Sequence, residues 1–344
     1  MRQAVLAAPK TLRWTEGPTP EPGRGEVVVR IRAALTCGTD LKTYRRGHPK
    51  LAFGPFGHEA AGDVHAVGEG VSSVSVGEPV MWVQSAPCGA CDRCTSGREN
   101  LCAHLTAGMA LGAYADYLRL PAAIVARNLY PKPPQLSYIE AAFLEPFSCI
   151  VHGWRVLDGS NGGRNIDHPV AIVGAGGIGL LHLAFARHRG IAATVFARDS
   201  ERASLAQRLG AADVLAPEAM TAREASFAAV IDCGGTAQSW KDAIRLTAAG
   251  GRTLLFSGLP ESETFPLDAG RLHYDELTLL GSFHFTPADV REARRLLLAG
   301  VVPAKELIAA VSPLDALEDV FATLDRGGGR KFALVPPPDA ARWQ

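Results

Sequence analysis

The sequence predicts an α/β protein of two unlike parts, one built of strands and loops and one a doubly wound parallel sheet. Two observations carry this. Up to about residue 135 the chain is rich in Gly and Pro, and its apolar residues fall in short β-branched runs such as 26–31 and 80–83. That is the pattern of strands joined by loops. From about residue 168 short apolar runs alternate with longer helical patterns, which implies parallel strands with helices on both faces.

The elements follow in order. Residues 1–6 read as a first strand. Ser137-Tyr138-Ile139-Glu140 has the form of a capping box opening a helix. Pro146 is expected to kink that helix or end its first half at Glu145. A strand at 170–173 leads into a helix at 178–188 stopped by Gly190. A strand at 194–197 is followed by a helix at 201–209 ended by Gly210, and a strand at 230–231 by a helix at 238–247 before Gly250-Gly251. Strands at 253–256 and 277–280 complete this half, and the tail, 287–298 and onward, ends in a strand at 331–335. Gly327-Gly328-Gly329 reads as a tight turn.

Composition bounds the rest. At 344 residues the chain is long enough for two domains, taking roughly 150 residues each. With 47% apolar residues it can bury two cores. Lys+Arg and Asp+Glu both number 35, so a broad basic surface for nucleic acid or an anionic membrane is not expected. There is no apolar run of about 18 residues and no secretory pattern at the amino terminus. Seven cysteines in such a chain point to metal ligation rather than a disulfide framework, and to a cytoplasmic location.

Gly174-Ala175-Gly176-Gly177-Ile178-Gly179 follows one expected strand and opens one expected helix. In that context the G-x-G-x-x-G pattern implies a dinucleotide site. Gly174 permits the tight turn, Gly176 lets the backbone approach the pyrophosphate, and Gly179 lets the helix pack on the strand. The helix start, at Gly177 and Ile178, offers free N–H groups to phosphate. At the end of the next strand an acidic residue would read the ribose of NAD, whereas an Arg would accommodate the 2′-phosphate of NADP. Here the strand-end position falls on Ala197 and is followed by Arg198, so NADP is the expected cofactor. Asp199 is the rival: folded onto the ribose it would favour NAD, and it could instead be a helix N-cap.

Cys88, Cys91, Cys94 and Cys102 have the spacing C-x2-C-x2-C-x7-C. Four thiolates on one loop can enclose a zinc and leave no open position, which makes a structural site. An iron–sulfur cluster also takes four cysteines, and ranks behind because the neighbouring motif calls for hydride chemistry. A looser set is Cys37-Gly38-Thr39-Asp40, Gly57-His58-Glu59 and Glu145-Pro146. One thiolate, one imidazole and one carboxylate would hold a zinc with a position open to water or substrate. Asp40 could accept the other ring N–H of His58. Taken singly, each of these residues also suits a buried filler, a loop histidine or a helix cap.

With these landmarks and Gly281-Ser282-Phe283, the chain resembles the zinc-containing medium-chain alcohol dehydrogenase family over essentially its whole length. Within it the resemblance is to the sorbitol and threonine dehydrogenase branch, where an acidic residue before a proline replaces a third-ligand cysteine. The resemblance implies a GroES-like β-rich catalytic domain, residues 1–149 completed by 285–344, and an inserted Rossmann-type domain, residues 150–284, with the active site in the cleft between them. It implies catalytic zinc on Cys37 and His58, with Glu59 and Glu145 trading places with water, and Thr39 as the hydroxyl that passes the substrate proton. It places Cys233, Gly234, Leu259, Ser282, Phe283 and Lys331 near the cofactor. It implies a homodimer or homotetramer; with the two ligand sets read above, two zinc ions per chain are expected, and the strand-end reading keeps NADP preferred and NAD possible.

Two departures from the family pattern bear on substrate and proton path. Lys42 stands where many relatives carry a relay histidine, so either Lys42 replaces it or Thr39 passes the proton to solvent. His284-Phe285 stands where sorbitol dehydrogenases carry Arg-Tyr, which argues against sorbitol itself. Tyr44, Arg45, Arg46, His48 and His284 are candidate substrate contacts, suited to a polyol, sugar, cyclitol or amino alcohol. The rival readings are a zinc-free quinone or enoyl-type reductase and a non-catalytic NADP-binding protein on the same fold.

Overall fold

The computed structural model describes residues 1–48, 51–163, 166–328 and 330–336. They form two compact units. The first comprises Met1–Ser148, Phe285–Gly300 and the described residues of 304–336, and the second Cys149–His284 with Val301–Pro303.

The first unit carries two sheets. A small antiparallel one joins Thr11–Glu16, Arg2–Ala8 and Gly54–Pro55. The larger one runs Ile308–Pro313, Lys331–Val335, Val27–Leu35, Glu59–Val67, Pro79–Trp82, Leu129–Pro131, with Tyr117–Leu120 also paired to Val27–Leu35. Val27–Leu35 is the hub, and most of its residues on both faces are buried. That explains its near-continuous run of Val, Ile, Ala and Leu in place of a clean alternation. Burying each of its Val, Ile and Leu side chains contributes about 1.5–3 kcal/mol.

Two local features set up the site. Cys37 caps the helix Gly38–Arg46: its sulfur accepts from Thr39 N at 3.4 Å, Asp40 lies in the first turn, and Gly47 at φ 77 closes the far end on Thr43 O. The capping box is present as expected, with Ser137 N donating to Glu140 Oε2 at 2.7 Å and Glu140 N to Ser137 Oγ at 3.1 Å. The break after it differs from expectation. The helix Tyr138–Ala142 ends at Phe143, and Leu144–Gly159 begins before the proline. Pro146 therefore sits in a first turn, where no intrahelical N–H is called for, and Glu145 is helical.

The second unit holds a six-stranded parallel sheet in the order Asp213–Leu215, Ala193–Phe196, Val170–Val173, Phe227–Asp232, Thr247–Leu255, Thr278–Gly281. Numbered within the unit this is 3-2-1-4-5-6, the doubly wound order whose ligand crevice lies outside the carboxyl ends of strands 1 and 4. The helices Gly177–His188, Ser200–Arg208 and Ala237–Leu246 follow the first, second and fourth strands. Gly190 and Gly210 end two of them at φ 70 and φ 92. The turn expected at residues 327–329 begins with Gly327 at φ 85, and residue 329 lies outside the described residues. No helix of the described residues is long and apolar enough to cross a membrane.

Candidate active site

Strand register gathers the first cluster. Leu35 pairs with both Glu59 and Ala333, so the end of Val27–Leu35 meets the starts of Glu59–Val67 and Lys331–Val335. Thr36 N and Phe332 O continue the pairing at 3.0 Å. Cys37, His58, Glu59 and Lys331 thereby reach one end of one sheet. Ligand atoms of Cys37, His58 and Glu59 lie within 4.8 Å of one another. His58 Nδ1 is 3.0 Å from Asp40 Oδ1 and Nε2 is 3.9 Å from Glu145 Oε2. A proton shared between Nδ1 and the aspartate leaves Nε2 as the ligand atom.

The charges there are unbalanced. Asp40, Glu59 and Glu145 are at most 4% exposed, and Cys37 adds a fourth group able to carry negative charge. Lys331 and His58 are the facing cations. Lys331 Nζ donates to Glu59 Oε2 and, at 2.8 Å, to Thr36 O. Glu59 Oε1 is buried with no partner. Burial pushes Glu145 up to about 7, with His58 pulling the other way. Burial works against the His58 imidazolium, but Asp40 and Cys37 outweigh it and hold its pKa well above the usual value. Excess buried negative charge is costly. Protons relieve it in part, and a divalent cation on Cys37, His58 and a carboxylate relieves it more fully. The donor set fits zinc: one sulfur, one nitrogen and oxygen.

The second cluster is the four-cysteine loop. Sulfur separations are 3.5 Å for Cys91–Cys94 and 3.9 Å for both Cys88–Cys94 and Cys91–Cys102. Zinc–sulfur bonds of about 2.3 Å at tetrahedral angles put sulfurs roughly 3.8 Å apart, whereas a disulfide needs about 2.05 Å. All four are free thiols. Backbone N–H groups of Ala90 and Cys91 point at Cys88 Sγ, and those of Cys88 and His104 at Cys102 Sγ, at 3.3–3.5 Å. The N–H bonds to Cys91 lower its thiol to about 6, while burial pushes Cys94 up to about 12.

In the second unit Gly174 adopts φ 105 and donates to Phe196 O at 3.0 Å. A Cβ on Gly174 would sit 3.3 Å from the Cys233 carbonyl carbon, and one on Gly179 would sit 1.9 Å from Gly174 O. Gly176 is the N-cap of Gly177–His188, and nothing stands within 4 Å of where its side chain would begin. A residue missed by sequence reasoning holds the neighbouring loop: buried Asp232 accepts from Gly234 N at 3.1 Å and Gly235 N at 3.3 Å. Leu259 and Ser282 are half-buried, and Phe283 is exposed and stacked on His284, which holds φ 62.

Several expectations are corrected. The second strand ends at Phe196, one residue early, leaving Ala197 buried and Arg198 exposed. Asp199 is the N-cap, accepting from Arg202 N at 2.8 Å and pairing with Arg202 Nε at 3.1 Å. Lys331 donates to Glu59 and Thr36, because its strand starts opposite them. Tyr44 is not a substrate contact but core: it is buried, with its ring 5.2 Å from that of Phe321, because it lies on the inward face of its helix. Arg45 pairs with Asp325 at 2.7 Å. His48 is half-buried and bridges Leu51. Two further residues missed in the sequence touch the first cluster: Gln84 donates to Glu145 Oε1 at 2.8 Å, and Tyr114 donates to Asp40 Oδ2 at 2.7 Å. A polar residue closing the apolar run at 80–83 was the available signal for Gln84.

The chain is similar to known proteins in sequence and fold. Residues 23–132 match the family described as "Alcohol dehydrogenase GroES-like domain", and residues 177–299 that described as "Zinc-binding dehydrogenase". The L-threonine 3-dehydrogenase of Coxiella burnetii is 31% identical over 335 residues, covering 93% of this chain and 94% of that one. The sorbitol dehydrogenase of Bacillus subtilis is 29% identical over 341 residues, covering 93% and 92%. The solved structure of a Sinorhizobium meliloti protein bound to NADP superposes with a TM-score of 0.85 at 28% identity, covering 97% and 99%. The chain belongs to the zinc-containing medium-chain alcohol dehydrogenase family, with a GroES-like unit and a Rossmann-type unit.

Proposed function

We propose that this dehydrogenase oxidises a secondary alcohol to a ketone with NADP, holding one catalytic and one structural zinc ion. The observation that carries it is the Cys37–His58–Glu59 cluster with its excess of buried acids and the unpartnered Glu59 Oε1. Cys37, His58 and one of Glu59 and Glu145 would hold the catalytic ion, and Cys88, Cys91, Cys94 and Cys102 the structural one. Bound there, zinc supplies Lewis-acid polarisation of the substrate oxygen. Bound at the glycine loop, the dinucleotide supplies the hydride acceptor.

The chain's own residues do the remaining work. Asp40 holds the His58 tautomer. Thr39, exposed at the start of its helix, takes the hydroxyl proton at Oγ1 and passes it to solvent or toward Lys42. The first helix turn after Gly176 binds pyrophosphate through its N–H groups. Exposed Arg198 suits a 2′-phosphate, and Asp199 is occupied as a cap, which together support NADP over NAD. Polyols and amino alcohols are the favoured substrates, in keeping with the names of the two relatives above. His48 and His284 are the remaining candidate contacts. The strand Thr278–Gly281, at the edge of its sheet among the described residues, and the family support a homodimer or homotetramer, and free cysteines throughout support a cytoplasmic location.

Steady-state turnover of a panel of secondary alcohols, polyols and amino alcohols with each dinucleotide tests this. A clearly higher kcat/KM with NADP, and with hydroxylated over aliphatic substrates, is expected. Preference for NAD, or for simple aliphatic alcohols, overturns the corresponding part. Cys37→Ser should abolish turnover while dinucleotide binding persists.

A further inference from the structure

We infer that Tyr114 is a positioning residue of the catalytic metal centre, fixing the His58 ring through Asp40. This rests on the reading that Cys37 and His58 hold the catalytic zinc. Tyr114 is fully buried, and its hydroxyl makes two contacts: Asp40 Oδ2 at 2.7 Å and Leu35 O at 3.1 Å. A phenol has one hydrogen, and the shorter contact, to a charged acceptor, is the stronger. The other oxygen of Asp40 meets His58 Nδ1 at 3.0 Å. Each carboxylate oxygen thus has its own partner, and the carboxylate cannot turn without leaving one of them unmatched in the interior.

The phenol ring is itself immobilised. It meets Phe56 edge-on at 5.1 Å and Phe321 at 5.9 Å. Its face lies under the backbone that delivers His58: a Cβ on Gly57 would sit 2.7 Å from two of its ring carbons. Gly57 adopts φ 91, so the residue before the ligand both requires glycine and makes room for this ring. Ala4 N donates to Tyr114 O at 2.9 Å, tying the tyrosine to the strand Arg2–Ala8. Burial, together with the neighbouring charge of Asp40, holds the phenol in its protonated, donating form. Without that hydroxyl, Asp40 Oδ2 keeps no donor from this side, the carboxylate is released to rotate, and His58 loses the hydrogen bond that reserves Nε2 for the metal.

The test uses Tyr114→Phe in the full chain, which keeps the ring and removes only the donor. Zinc affinity is read by competition with a chromogenic chelator, and the catalytic site is followed by the visible spectrum of cobalt(II) in its place. About a tenfold loss of zinc affinity at the Cys37–His58 site is expected, as for the removal of outer partners of metal-bound histidines, with a shifted cobalt spectrum and an unchanged four-cysteine site. In an Asp40→Asn background the same substitution should cost nothing further, because the tyrosine acts through the aspartate. Wild-type affinity in Tyr114→Phe, or an equal loss in both backgrounds, overturns the inference. A Cys37→Ser control that keeps the full zinc content would instead sink the underlying site assignment.

Discussion

Lys331 lays its ammonium on one oxygen of Glu59 and leaves the other, Oε1, buried without a partner. The pair is fully enclosed, and burial alone would work against the ammonium; Glu59 and Cys37 hold the Lys331 pKa up. Breaking a buried pair by removing one member costs about 3–5 kcal/mol, since the other charge is stranded. Lys331→Met should therefore destabilise the metal-free protein by that order. The loss should be smaller when zinc is bound, because the cation then faces the stranded Glu59. Denaturant unfolding with and without zinc reads the difference; equal losses would show that Glu59 does not face the ion.

Gln84 holds one oxygen of Glu145, a bond that favours the ionised carboxylate. Burial already places this group at about 7. In Gln84→Leu the carboxyl should protonate more readily, so protons displace the metal at a higher pH. Zinc retained against pH should show its acid limb shifted upward, and an unmoved limb would mean that Glu145 is not a ligand.

Gly179→Ala puts a methyl 1.9 Å from Gly174 O, where only backbone can yield. The glycine loop must open to admit it. Dinucleotide affinity, measured by fluorescence titration, should fall at least tenfold while zinc content stays unchanged. Wild-type affinity would detach the loop from cofactor binding.

His182 is fully buried in the helix Gly177–His188, with neither ring nitrogen partnered, and burial pushes its pKa to about 3. The folded state therefore excludes a proton that the unfolded chain takes up below about 6.5. Stability is unaffected by this group above that pH and falls as pH drops from there toward 3, by up to about 1.4 kcal/mol per unit. His182→Leu should flatten this part of the stability–pH curve. A wild-type slope in the variant would assign the acid sensitivity elsewhere.

Much of this was legible in the chain itself. The glycine loop, the four cysteines and the strand–helix alternation are local patterns, and each fixes its own geometry. Cys37, His58 and Glu145 lie far apart in sequence, and only strand register brings the first two together, so spacing alone left them open. Tyr44 misled because its polar tip suggested a surface role, whereas the inward helix face and Phe321 decide its place. Pro146 misled because a proline breaks helices only beyond the first turn. Tyr114 was invisible because its role comes from a contact across 74 residues, Gln84 showed only as a polar residue closing an apolar run while its contact lies 61 residues away, and Asp232 acts on the next loop through a local contact that belongs to no spacing motif.

The central claim is that Cys37 and His58 hold a metal separate from the one on the cysteine loop, and elemental analysis tests it most directly. Purified with ample zinc, the wild-type chain should carry two ions, one for each ligand cluster, and His58→Ala and Cys102→Ser should each carry one. His58→Ala should have lost turnover. A single zinc in the wild-type protein, unchanged in His58→Ala, would contradict the account.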